Sequence, residues 1–119
     1  MPFVEIIWDS DSLPQAQLEQ LRDVLPKIVA DNFSKADKKH PVSPKHVEVK
    51  IIRKDPLDRI SAKLYITILA RSEKARDKAR LALTSNLTEN ILQSQKLPNE
   101  TLVEVVLTNH TTLYQPYKD

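Results

Sequence analysis

Glycine and cysteine are both absent from this chain of 119 residues. A P-loop, a dinucleotide-binding G-x-G-x-x-G turn and a G-x-S-x-G nucleophile elbow all need backbone conformations that only glycine tolerates. Disulfides, thiolate catalysis and the usual zinc or iron–sulfur centres held by thiolates all need cysteine. The composition therefore excludes these nucleotide-binding loops, hydrolases with that nucleophile turn, and thiol chemistry.

Long apolar runs and a strong excess of one charge are also missing. No segment approaches the roughly eighteen apolar residues of a membrane span, and the N-terminus has neither the basic nor the apolar region of a signal peptide. Lysine plus arginine number 18 and aspartate plus glutamate 16, giving a net charge of +2. This small excess suits an anionic ligand and does not require nucleic acid. We therefore expect a cytoplasmic protein with no membrane partner, and the charge gives little support to nucleic acid as a partner.

Histidine is scarce and dispersed. The three histidines, His40, His46 and His110, form no H-x-x-x-H pair, so the sequence predicts no metal site.

Apolar residues recur at strand and helix spacing, and this pattern predicts one α/β domain over residues 1–119. The domain contains two β-α-β units, 2–53 and 62–108, followed by a polar tail, 109–119. In chain order, the predicted elements are a strand from Phe3 to Trp8, a helix from Gln15 to Phe33, a strand from His46 to Arg53, a strand from Lys63 to Ala70, a helix from Arg71 to about Gln93, and a strand from Leu102 to Thr108.

Alternation along the predicted strands gives the sheet two different faces. Right-handed crossovers would join the strands into two parallel pairs, with both helices on the apolar face. A single helical layer over a sheet whose second face is partly polar favours oligomerisation. The apolar face is expected to carry Val47, Val49, Ile51, Leu64, Ile66 and Ile68, and the polar face Glu48, Lys50, Lys63, Tyr65 and Glu104.

Pro2 is the most informative single residue. An initiator methionine is generally removed when a small residue follows, which would leave the secondary amine of proline at the start of a strand. An α-amine titrates near 7.7–8.0, and an apolar pocket or a nearby cation would lower its pKa. A base of this kind suits proton abstraction next to a carbonyl. Many chains begin Met-Pro without such a role, so the dipeptide alone does not decide.

Three segments, in this order along the chain, carry a resemblance to a known family. They are Met1–Ile6, the approach from Pro44 into Val47–Ile52, and Ile68–Ser72, where a strand passes to a helix through Arg-Ser. Together with a length near 120 residues and two β-α-β units, they resemble the tautomerase superfamily over roughly residues 2–108. That superfamily includes 4-oxalocrotonate tautomerase, 5-carboxymethyl-2-hydroxymuconate isomerase and macrophage migration inhibitory factor. The layout is most similar to that of the muconate isomerase.

The resemblance implies a fold, an assembly and a chemistry. The fold would be that of the macrophage migration inhibitory factor, a four-stranded mixed sheet with two helices on one face, assembled as a homotrimer. The activity would be a cofactor-independent isomerisation of a small keto–enol or 2-hydroxydienoate acid, with Pro2 as the general base. Arg71 matches the family's Arg-Ser and would bind the anionic substrate. A solvated arginine at a helix start would look the same in sequence.

Two departures from the family pattern affect the predicted substrate site. Asp9-Ser10-Asp11 stands where bacterial tautomerases carry Gly-Arg-Ser, and Glu48 stands where their second-strand arginine would fall. Lys45 and Lys50 are the candidate replacements for these carboxylate binders. Lys50 is equally suited to pairing with a glutamate across the sheet.

The start of the second predicted helix is basic. Glu73–Arg76 and Asp77–Arg80 are spaced to pair at i,i+3, which is typical of a solvated helix face. A basic helix face of this kind could also bind nucleic acid, but stacking aromatics are scarce and no RNA-binding signature is present.

Two non-enzymatic alternatives remain open. The order β-α-β-β-α-β also describes a ferredoxin-like sandwich that binds a ligand or nucleic acid. Strand direction separates the two folds, since the ferredoxin-like sheet is wholly antiparallel. A tautomerase-fold chain without its carboxylate binders could also act only as an oligomeric interaction protein.

Overall fold

Four strands and three helices alternate along residues 2–108, which are the residues that the computed structural model describes. Met1 and the predicted polar tail, 109–119, lie outside them. A short 3-10 turn, Pro44–His46, precedes the second strand. The elements are β1 (Phe3–Trp8), α1 (Gln15–Ala36), β2 (Glu48–Arg53), β3 (Leu64–Arg71), α2 (Lys74–Lys78), α3 (Arg80–Ser94) and β4 (Thr101–Thr108).

The strands form one mixed sheet in the order β2-β1-β3-β4. β1 runs parallel to β2, and β3 runs parallel to β4, while β1 and β3 are antiparallel. These directions confirm the predicted four-stranded mixed sheet. They exclude the ferredoxin-like alternative, whose sheet would have no parallel pair.

The core lies between the helices and one face of the sheet. Alternate residues of β1 and β3 are buried, and they pack against the apolar stripe of α1 and α3. The predicted assignment of the helices to this face is confirmed. The buried apolar side chains of the two central strands are Val4, Ile6, Trp8, Leu64, Ile66, Ile68 and Ala70, and those of the helices are Leu18, Leu21, Leu25, Val29, Ala30, Phe33, Leu83, Leu87 and Ile91.

The passage from β3 into the second helical region differs from the prediction. Arg71 belongs to the strand, because the Ser72 N–H donates a hydrogen bond of 2.7 Å to the carbonyl of Thr108 on β4. The helix therefore begins only at Lys74. It is interrupted at Ala79, whose backbone lies at φ −92° and ψ 10°, so the predicted single helix is two.

The sheet face away from the helices carries a polar row between two largely apolar rows, one of which has Glu48 on β2. This arrangement follows from the registers of the three strand pairs. The polar row confirms the predicted positions of Lys50 and Glu104, whereas Lys63 lies before β3 begins. From β2 to β4, the rows are Glu48, Phe3, Leu69 and Val106; Lys50, Glu5, Thr67 and Glu104; and Ile52, Ile7, Tyr65 and Leu102.

No helix within residues 2–108 is long and apolar enough to cross a membrane.

Candidate active site

A cleft of about 190 Å³ lies at the end of the sheet where β1 begins and β3 ends. One wall comes from the loop after α1 and the 3-10 turn, and the other comes from the end of β3 and α2. The cleft is below the roughly 300–1,000 Å³ of sites for drug-sized ligands, so it suits a small molecule. Its lining residues are Pro2, His40, Pro41, Val42, His46, Arg71, Glu73 and Arg76.

Pro2 lies directly before β1 and is among the fully buried side chains of the protein. It also lines the cleft. Its position is set by β1, which is a central strand paired on both sides, with β2 and with β3. The start of the chain is therefore held on rigid sheet rather than on a loop.

Arg76 is the buried cation of the cleft, with 5% of its surface exposed. Its Nη1 donates to the carbonyl of Arg71 at 2.9 Å, and its guanidinium lies 5.1 Å from the centroid of the Phe33 ring. Its Nε–H has no hydrogen-bond partner among residues 2–108. Burial lowers the pKa of Arg76, partly opposed by the charge of Asp37, but a guanidinium keeps its proton in proteins. The cleft thus contains a buried positive donor without an acceptor.

Asp37 is the buried acid beside this cation, with 3% of its side chain exposed. Its Oδ2 lies 2.8 Å from His40 Nδ1, and its Oδ1 accepts the Lys39 backbone N–H at 3.1 Å. The hydrogen bond with His40 is the main reason that the pKa of Asp37 lies below its usual value, and the charge of Arg76 adds to it. Asp37 is therefore an ionised counter-charge that orients His40.

The mouth of the cleft is charged as well. Arg71 Nε lies 3.7 Å from Glu73 Oε1, and His40 Nε2 lies 4.0 Å from Glu73 Oε2. The Arg71 side chain is 62% exposed and that of Glu73 is 25% exposed. Glu73 thus joins the two walls of the cleft near its opening.

The predicted site residues divide into two groups. Pro2 and Arg71 line the cleft together. Lys45 and Lys50 are exposed and do not line it. Lys45 lies in the 3-10 turn, and strand alternation places Lys50 on the open face of the sheet, beside Glu5. Neither lysine replaces the missing arginines within this cleft.

Arg76 corrects the prediction of a solvated helix start. The i,i+3 spacing to Glu73 assumes a helix that runs from Arg71, whereas the helix begins at Lys74. Arg76 therefore lies in the first turn of α2, with its guanidinium directed back toward the end of β3. The sequence does not indicate that Asp37, His40 and Glu73 belong to the site, because the contacts that join them come from separate elements.

Within residues 2–108, no group of three or more acidic or histidine side chains could hold a metal ion.

Comparison of the sequence with family models gives no match, and comparison with curated proteins gives none either. The fold is similar to that of several solved structures. Malonate semialdehyde decarboxylase superposes with a TM-score of 0.66 at 12% identity, covering 98% of this chain and 92% of that one. The fold is that of the tautomerase superfamily. A second structure with this fold is an asymmetric trimer of fused 4-OT. It superposes with a TM-score of 0.59 at 14% identity, covering 89% of this chain and 85% of that one. A third is MIF2 of Leishmania major, with a TM-score of 0.56 at 20% identity, covering 92% of this chain and 90% of that one.

The fold expected from the resemblance is confirmed. One of these similar structures, malonate semialdehyde decarboxylase, is an enzyme. At these low identities the similarity establishes the fold alone. The reaction must be argued from the cleft itself.

Proposed function

We propose that this protein is a cofactor-independent tautomerase or isomerase that moves a proton on a small keto–enol or 2-hydroxydienoate acid. Pro2 would act as the general base after removal of Met1. The observation that carries the proposal is the position of Pro2, buried before a central strand and lining a cleft that also holds two arginines.

The proposed base depends on the state of the chain start. With Met1 attached, the Pro2 nitrogen is an amide and cannot accept a proton at neutral pH. Once Met1 is removed, it becomes a secondary amine beside Arg71 and Arg76. Burial and nearby positive charge both lower the pKa of an ammonium group. A terminal amine in this position would therefore be unprotonated near neutral pH and available as a base.

The two arginines supply the second requirement, which is stabilisation of negative charge. The unpartnered Nε–H of Arg76 would donate to the substrate carboxylate or to the enolate oxygen that forms as the proton leaves. Charge-assisted hydrogen bonds of this kind are the strong ones. Arg71, which is more exposed, would attract the anion at the mouth. These roles would compensate for Glu48 and for the acidic segment after β1.

The open face of the sheet supports a proposed homotrimer. Two largely apolar rows lie there without a covering helix from residues 2–108. One row crosses all four strands, and the other crosses β1, β3 and β4 and has Glu48 on β2. One solved structure with this fold, a fused 4-OT, is a trimer. Burial of these rows between copies of the chain would remove apolar surface from water.

Pro2→Ala is the direct test, with phenylpyruvate and 2-hydroxymuconate as substrates and the mass of the purified chain measured first. We expect the chain without Met1 to turn over at least one of them, and Pro2→Ala to reduce kcat/KM by about a hundredfold, within the range for loss of a general base. Material that retains Met1 has an amide at the Pro2 nitrogen and an added residue beside the cleft, and it should be inactive. Pro56→Ala, in an exposed turn, should keep full activity.

The same experiment addresses the non-catalytic alternative. The two missing arginines, in whose places stand Ser10 between two aspartates and Glu48, favour a chain that assembles without catalysing. If the chain without Met1 shows no rate above buffer with either substrate, the tautomerase proposal fails for these acids. Activity that persists in material retaining Met1 would contradict Pro2 as the base.

A further inference from the structure

The charges of the cleft select its ligand. We propose that it binds monocarboxylates whose far end is uncharged, and that Glu73 at the mouth rejects dicarboxylates. This inference concerns the same site as the proposed function and rests on it for its biological meaning. It describes binding, however, and can be tested without turnover.

The cleft has no net positive charge for a second anionic group. Counting histidine as neutral, Arg71 and Arg76 contribute two positive charges, while Asp37 and Glu73 contribute two negative ones. Glu73 lies 3.7 Å from Arg71, and the charge of Asp37 acts on Arg76. One monoanion therefore gives the site one negative charge, and a dianion would give it two.

Arg76 is the buried positive group among the described residues that line the cleft. Only 5% of the Arg76 surface is exposed, and its Nε–H has no hydrogen-bond partner among residues 2–108. A buried donor without an acceptor costs free energy, so an oxygen acceptor placed against it would be strongly favoured. The carboxylate of the ligand is therefore expected at Arg76, at the inner end of the cleft.

The far end of such a ligand would reach the mouth, because the cleft is small. There it meets Glu73, which is three-quarters buried and lies between Arg71 and His40. A second carboxylate would lie near the Glu73 carboxylate, whose oxygens already lie within 4.0 Å of both Arg71 and His40. An uncharged end would instead contact Pro41 and Val42. Like charges about 4 Å apart repel even in water, so Glu73 opposes the dianion.

Hexanoate and adipate provide a matched pair of probes, since they share one carbon-chain length and differ by the second carboxylate. Binding to the chain without Met1 is measured at about pH 8, above the usual titration range of histidine, by titration of the Arg76 Nε–H NMR signal. We expect hexanoate to bind at least about fivefold more tightly than adipate, a difference of about 1 kcal/mol. Glu73→Gln should reduce this preference to about twofold or less. Glu100→Gln, an exposed glutamate outside the cleft, should leave it unchanged.

Glu73→Gln is a conservative change here, since the Glu73 side chain makes no capping hydrogen bond to α2. The wild-type comparison stands even if the variant does not fold. Equal or tighter binding of adipate overturns the inference, and so does a failure of both acids to shift the Arg76 signal. An unchanged preference in folded Glu73→Gln also overturns the role of Glu73. 2-Hydroxymuconate is itself a dicarboxylate, so this inference expects phenylpyruvate to be the better substrate of the two. If hexanoate is preferred while phenylpyruvate is not turned over, the inference holds and the proposed function fails.

Discussion

Arg76 combines features that stability alone does not explain. It is buried, it rests over Phe33, and its Nε–H is unsatisfied within the described residues. A buried polar group without a partner costs roughly 1–3 kcal/mol, and an apolar side chain of similar shape would avoid that cost. Such a group is expected where function requires it.

Arg76→Met tests this interpretation. Methionine is shorter than arginine, so it keeps only the inner, apolar part of the side chain and removes the charge, the unsatisfied donor and the guanidinium contact with Phe33. Removal of one partner of a buried charge pair is destabilising, but Asp37 keeps its hydrogen bond with His40, so we expect the free energy of unfolding in urea to fall by no more than about 2 kcal/mol. The same change should reduce kcat/KM by about a hundredfold or more, as loss of an oxyanion donor does.

Arg80→Met, on an exposed position of α3, is the control and should alter neither quantity. A loss of several kcal/mol in Arg76→Met would instead assign this arginine a structural role through its bond to the Arg71 carbonyl.

Asp37 predicts a dependence of stability on pH. The hydrogen bond with His40, aided by the charge of Arg76, lowers the pKa of Asp37 in the folded chain. A carboxyl whose folded pKa lies below its unfolded value stabilises the fold above the unfolded pKa, and this contribution is lost as the pH falls through the folded pKa. We therefore expect Asp37→Asn to unfold more easily than the wild type at pH 7, with a difference that shrinks below about pH 4.

Urea unfolding of both proteins across that pH range measures the difference. A gap of constant size at every pH would mean that Asp37 acts through packing and geometry rather than through its charge.

At the scale of elements, the sequence predicts strands better than the junctions between them. β1 was predicted with its observed bounds, Phe3–Trp8, because alternating apolar residues specify a strand and its buried face together. The junction after β3 was wrong, since its end is set by the hydrogen bond from Ser72 to Thr108. No local pattern contains that long-range contact.

The same junction explains which part of the site could be predicted. Pro2 and Arg71 follow from local sequence and from the family resemblance. Arg76 depends on where α2 begins, and His40 reaches the cleft on the loop that follows α1. A shift of the helix start by three residues, from 71 to 74, is enough to change a solvated arginine into a buried one. Element boundaries are the weakest part of such predictions, and this cleft lies at several of them.

At the scale of the whole molecule, the helices leave one face of the sheet uncovered. The helices cover the face that carries Val4, Ile6 and the other core residues. Phe3, Ile7 and Leu69 lie on the opposite, uncovered face. β2 and β4 lie at opposite edges of the sheet. Within residues 2–108 the sheet is therefore open and is not closed into a barrel. Association of these faces would also fix the ends of the sheet where the cleft lies.

Leu102→Lys tests assembly through that face. Leu102 is 47% exposed on β4, in the apolar row with Ile7 and Tyr65. In a monomer the new lysine would lie near Glu104 and cost little, whereas between copies it would place a charge in apolar surroundings, which is unfavourable. We expect the wild type to sediment as a trimer at micromolar concentration and Leu102→Lys to sediment as a folded monomer. Leu81→Lys, on α3 and 83% exposed, should remain trimeric. A monomeric wild type would reject the trimer, and a trimeric Leu102→Lys would move the interface to another surface.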